Sequence, residues 1–157
     1  MRLAICLLSV GCIPVLTSPG GADEPAVGAD WEAPENSWPA AEFIPATIES
    51  EGWAEGDVVP DLRAMDQHGD EVSLWQFYGQ VIAVDISTMW CAPCKILASE
   101  VDETWKDYES QGFMYLTLMP ENNLAEAPSI SDLNAWADAF EITAPVLSDA
   151  DRVSDII

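Results

Sequence analysis

Two apolar runs dominate the second half of the chain. Val81-Ile82-Ala83-Val84-Asp85-Ile86 and Phe113-Met114-Tyr115-Leu116-Thr117-Leu118-Met119 are nearly continuous and rich in β-branched or aromatic residues. Each suits a strand buried on both faces of a sheet. Between them, from Pro93 to Gln111, Leu97, Val101, Trp105 and Tyr108 recur at helical spacing, and Gly112 stands where a C-terminal cap falls. A second helix is expected to start around Ser129-Ile130-Ser131-Asp132 and to bury Leu133, Trp136, Ala137 and Phe140. Val146-Leu147 reads as a brief strand, and Asp151 to Ile157 as the opening of another helix. Upstream, Val58 to Met65 reads as a strand with Pro60 at its edge. Gln67-His68-Gly69-Asp70 is a turn, Glu71 to Leu74 the return strand, and Trp75 to Tyr78 one helical turn stopped by Gly79. The order β-β-β-α-β-α-β predicts an α/β domain with a mainly parallel central sheet. No internal repeat is present, and Trp75, Trp105 and Trp136 are assigned to the core.

Before about Gly56 this periodicity is missing. No Lys or Arg occurs between Leu3 and Leu62, while seven of the eleven prolines do. Such a stretch holds neither helix nor strand for long, and it reads as an extended, solvated tether. The full chain has 157 residues, 28 acidic and 5 basic side chains, and a formal charge of −23. That sign argues against nucleic acid, whose binding needs Lys and Arg to displace counterions, and against an electrostatic anchor on anionic lipid. The length suits one ordinary domain.

Met1-Arg2 followed by Leu3 to Val10 has the form of a secretory signal, too short to span a bilayer. The run closes on Gly11-Cys12, which resembles a bacterial lipoprotein processing site in which Cys12 carries the lipid. Ser9 departs from the Leu preferred three residues before that cysteine, and a plain cleaved signal is the alternative. The expected organisation is a signal at 1–11, an acidic Pro-rich tether at 12–55 and a folded domain at 56–157. An exported location permits disulfides.

Trp90-Cys91-Ala92-Pro93-Cys94-Lys95 follows the first apolar run and opens the long helix. Two cysteines so spaced on a first helical turn can close into a disulfide. Cys91 then faces the unpaired N–H groups and positive end of the helix, which stabilises its thiolate and makes it the attacking sulfur. Cys94, one turn in, would resolve the mixed disulfide. Pro93 suits a position where a missing N–H costs nothing. A zinc site would need more ligands than His68 and Cys12 supply. A purely structural bridge would remove little chain entropy across so tight a loop. Neither a metal nor a cofactor is expected.

The segment Val84 to Lys95 resembles the active-site segment of the thioredoxin superfamily. The Val58-Val59-Pro60-Asp61 and Gly69 to Leu74 stretches, with Trp136-Ala137 and Pro145-Val146-Leu147-Ser148-Asp149, are similar to its AhpC/TSA-like redoxin branch. That branch includes peroxiredoxins and membrane-tethered thiol–disulfide oxidoreductases of bacterial envelopes. The resemblance implies a thioredoxin-like fold with Cys91, Cys94 and Asp85 as catalytic residues, supported by Trp90, Pro93 and Lys95. Asp85 stands six before Cys91, where thioredoxins keep the acid that handles the resolving thiol's proton. A carboxyl in an apolar strand has a raised pKa that suits this task. The alternative is a hydrated, inert strand-end Asp. Pro145 is read as opening a strand rather than as the family's cis-proline. On that reading the last strands and helix of the fold would follow Ile157, leaving an apolar sheet edge. The implied function is exchange of electrons with protein thiols and disulfides and an upstream donor, by a lipid-anchored monomer at the periplasmic or extracytoplasmic face of the bacterial cell envelope. Two rivals stand. One is a thiol peroxidase, with Thr88 three before Cys91 and Arg152 the sole downstream arginine. The other is an inactive domain holding Cu(I). The direction of electron flow and the substrate are not legible.

Overall fold

The computed structural model describes residues 31–45 and 48–155. The signal at 1–11 and the proposed lipid-bearing Cys12 lie outside the described residues. The strands are β1 (Arg63–Met65), β2 (Glu71–Ser73), β3 (Val81–Ile86), β4 (Phe113–Met119) and β5 (Val146–Ser148). The helices are α1 (Ala92–Tyr108) and α2 (Ile130–Phe140). β1 and β2 form an antiparallel hairpin, and β3-β4-β5 a parallel sheet. The expected element order is therefore present.

β4 is the central strand, with Met114 to Met119 buried. On one face Tyr115 and Met119 meet Ala98 and Val101 of α1 and Leu133 and Trp136 of α2. On the other, Met114, Leu116 and Leu118 pack against Leu62, Val72, Leu74 and Phe77. Each large side chain so enclosed contributes about 1.5–3 kcal/mol. The helix ends follow their local chemistry. Gly112, at φ +80°, ends the short 3-10 turn that extends α1, a conformation that costs glycine nothing. Ser129 caps α2 reciprocally with Asp132.

Several expectations are corrected. The first strand covers only Arg63–Met65, because the backbone before it bonds elsewhere: the Val58 carbonyl accepts the Glu51 N–H, the Val59 carbonyl accepts the Trp75 indole N–H, and Pro60 has no N–H to donate. α1 turns Cys94, Ala98, Val101 and Trp105 to the core, leaving Leu97 and Tyr108 exposed. The final helix is a 3-10 turn at Val153–Asp155. Trp136 is buried, whereas Trp75 and Trp105 are half-buried.

β3 is not enclosed on both faces. Val81 donates its N–H to Gly112 and Ser87 to Leu118, so the odd-numbered residues bond towards β4. The N–H and C=O groups of Ile82, Val84 and Ile86 consequently point to an edge that is unpaired among the described residues. Val81, Val84 and Ile86 are exposed on this strand. Pro145 directly precedes β5, and its carbonyl accepts the Thr117 N–H.

The largest correction concerns the stretch read as solvated. Residues 31–45 contain no helix or strand, yet they lie on the domain as a strap. The Trp31 indole donates to Asp61 at 3.0 Å and the Trp38 indole to Asp66 at 2.6 Å. Trp38 also stacks on His68, Asn36 is hydrogen-bonded to Gln76, and Ile44 is 1% exposed. Tryptophan and isoleucine bury their surface wherever a matching face exists, and proline does not prevent that in extended backbone.

Candidate active site

Cys91 is the N-cap of α1, and Ala92 and Pro93 are its first two helical residues. The preceding β3 supplies rigid support, and the link from Ser87 to Trp90 is tied down at both ends. Ser87 donates to Leu118 and Cys91 to the Thr88 carbonyl. Cys91 and Cys94 are joined by a disulfide, with Cα atoms 5.2 Å apart. The Cys91 sulfur also accepts the Cys94 N–H at 3.2 Å. That contact brings a free helix-end donor to the sulfur that would bear negative charge. No acidic residue occupies the first turn to oppose it. Both cysteines are half-buried; Cys94 packs against the core cluster on the α1 side of the sheet, and Cys91 caps the helix start beside the exposed Ala92 and Pro93.

The sequence-derived site residues fall around this bridge as follows. Trp90 is 58% exposed beside Cys91, and Pro93 is exposed in the first turn. Lys95 is exposed, and its N–H closes the first helical hydrogen bond onto the Cys91 carbonyl. Asp85 is half-buried on β3, between the two alternatives of an enclosed acid and a hydrated one. Burial pushes its carboxyl above the ordinary value, partly opposed by the Ser87 hydroxyl, which donates to it at 2.8 Å. The phenol of Tyr115 is raised by its own burial and then by the charge of Asp85.

Glu121, absent from the sequence reading, completes the site, and it takes up the Arg152 that was read only as a cation for a peroxidase. The Glu121 carbonyl accepts the Met89 N–H at 3.1 Å, and its carboxylate accepts the Trp90 indole N–H at 2.9 Å. Arg152 binds the other carboxylate oxygen at 3.1 Å. The Trp90 hydrogen bond and then Arg152 hold the Glu121 carboxyl below its usual range. Thirty-odd positions separate these partners, and no spacing rule links them. The Thr88 hydroxyl is buried without a hydrogen-bond partner among the described residues.

The AhpC/TSA family pattern matches residues 56–154. No curated protein matches the chain. Among solved structures, one relative is the thioredoxin domain of a thiol-disulfide oxidoreductase from Bacteroides vulgatus. It is 21% identical at TM-score 0.54, with 67% of this chain and 71% of that one covered. A structure described as a thiol:disulfide interchange protein DsbE from Chlorobium tepidum is 18% identical at TM-score 0.51, covering 68% and 67%. Peroxidoxin BcpB from Mycobacterium tuberculosis is 15% identical at TM-score 0.51, covering 62% and 60%. Identities this low speak to fold, and the expected α/β thioredoxin-like architecture is borne out.

Proposed function

The chain belongs to the AhpC/TSA family, and from that premise we propose that it is a thiol–disulfide oxidoreductase acting on protein cysteines. The observation that carries this reading is the Cys91–Cys94 bridge at the start of α1, with the Cys94 N–H on the Cys91 sulfur. In the reducing direction the Cys91 thiolate attacks a substrate disulfide, forming a mixed disulfide and releasing one substrate thiolate. Cys94 then gives up its proton, attacks the Cys91 sulfur and frees the second substrate thiolate. The protein is left oxidised and the substrate reduced by two electrons. Reading the same steps backwards describes oxidation of a substrate dithiol.

Asp85 is proposed as the proton acceptor for Cys94, with Ser87 orienting its carboxylate. Asp85→Asn is expected to slow resolution of the mixed disulfide about tenfold, below the usual effect of a general base because water reaches this half-buried group. The same variant should be the more stable protein at neutral pH. The folded state binds the Asp85 proton more tightly than the unfolded chain, so stability falls as pH rises from the ordinary value of 3.8 through the raised folded value. Asparagine removes that loss, and the gain disappears below the ordinary value. Denaturant melts at pH 7 and pH 3 measure it, and equal stability of the two proteins at pH 7 would refute the assignment.

A thiol peroxidase would need a cation at the thiolate. Arg152 instead places one amino group on Glu121, with its Nε 3.6 Å from Asp155. The deciding assay gives the oxidised full chain a dithiol, then offers the reduced protein a disulfide-bearing polypeptide or a hydroperoxide. Electron transfer to the polypeptide is expected. Rapid peroxide consumption without it would replace this reading by the peroxidase. Export and lipid attachment at Cys12 belong to the same proposal; lipid labelling that survives Cys12→Ser would remove the anchor.

A further inference from the structure

Trp90 presents a puzzle that the dithiol chemistry leaves open. A large aromatic side chain, more than half exposed, adjoins the sulfur that must meet a partner chain. An exposed indole ordinarily samples several rotamers, and ordering it during association costs affinity. Here it is already ordered. Glu121 holds the segment before Cys91 at two points, the Met89 N–H on its carbonyl and the Trp90 indole N–H on its carboxylate. The carboxylate is itself fixed by Arg152. Arg152 is held in turn by a backbone bond to Asp149 and adopts φ +57°, an uncommon conformation for a residue with a side chain. Asp149 accepts the Val153 and Ser154 N–H groups, which completes the turn that carries the guanidinium.

We propose that Glu121 is a positioning residue: it locks Trp90 into one orientation, with Arg152 as its brace, so that a partner polypeptide docks on a preformed indole face beside Cys91. The proposal rests on the oxidoreductase reading and adds to it the surface that recognises the polypeptide. The arrangement places the recognition energy next to the reacting sulfur, with the Glu121 carboxylate paired to the Arg152 guanidinium rather than left as a free charge. Polypeptide substrates should therefore be sensitive to this group through KM rather than through the chemical step.

The test is a double-mutant cycle in the full chain, using a disulfide-bearing protein as substrate. Glu121→Ala is expected to raise KM roughly tenfold, the scale of one hydrogen bond to a charged group, while kcat changes much less. Trp90→Phe, which lacks the indole N–H, should give a similar rise, and the double variant no more than either alone. Glu121→Gln keeps an acceptor for the indole and should recover most of the loss. Effects that multiply in the double variant, or an unchanged KM in Glu121→Ala, would overturn the proposal. A second readout does not depend on activity. The emission anisotropy assigned to Trp90, taken as the difference between the parent and Trp90→Phe, should drop in Glu121→Ala. If the parent exchanges no disulfides, the oxidoreductase reading fails; the anisotropy still decides whether Glu121 locks the indole.

Discussion

With serine at position 94, a polypeptide that reacts with the protein should remain covalently joined to Cys91. The attack by Cys91 needs only its own thiolate, stabilised at the start of α1. Release of the product needs a second sulfur one turn away, and serine does not supply it. Non-reducing electrophoresis should show a stable adduct that dithiothreitol removes, and mass spectrometry should place it on Cys91. Turnover should fall below detection. The reciprocal variant, Cys91→Ser, should form no adduct at all. Cys94 packs towards the core cluster and lacks the helix-end N–H that the Cys91 sulfur accepts, so its thiolate is the less stabilised of the two. An adduct on Cys94 in that variant would reverse the roles assigned to the two cysteines.

Ile44→Ala should lower the stability of the domain by about 2–5 kcal/mol, the usual cost of removing a buried isoleucine side chain to alanine. Ile44 is 1% exposed, although it lies in a segment whose composition is that of a solvated linker. A true tether residue would change stability by no more than about 0.5 kcal/mol. Equilibrium urea unfolding separates the two outcomes without reference to activity. The same experiment on Glu42→Ala provides the contrast, because Glu42 is exposed two residues away. A null result for Ile44→Ala would return the strap to the status of linker.

That second prediction marks where sequence reasoning ran out. β4 was legible because a seven-residue apolar run admits few other fates, and α2 because Ser129 and Asp132 announce its cap. The dithiol was legible because its chemistry depends on two cysteines at fixed spacing with a helix behind them. The strap was not, because acid and proline content describe the average environment of a stretch. Trp31, Trp38 and Ile44 find specific partners in Asp61, Asp66 and the domain face, which are set only once the hairpin has formed. The helix face was misassigned by one position for a related reason. Leu97 and Ala98 both fit a helical stripe, and the direction from which β4 approaches decides which is covered. Glu121 was invisible because its role exists only where the loops after β3 and β4 come together.

The docked strap also changes how far the domain could travel if Cys12 carries a lipid. A linker free from Cys12 to Gly56 would reach at most about 150 Å when fully extended. With Trp31 seated on Asp61, the span available to solvent shrinks to the residues from Cys12 to Trp31, at most about 65 Å. The volume swept by the leash scales with the cube of its length, so the dithiol would search a space roughly one-twelfth as large. Partners anchored in the same membrane would meet Cys91 at a correspondingly higher local concentration, and freely diffusing ones would gain nothing. The same contacts that hold Trp31 and Trp38 on the domain would thus act as a range setting for the enzyme.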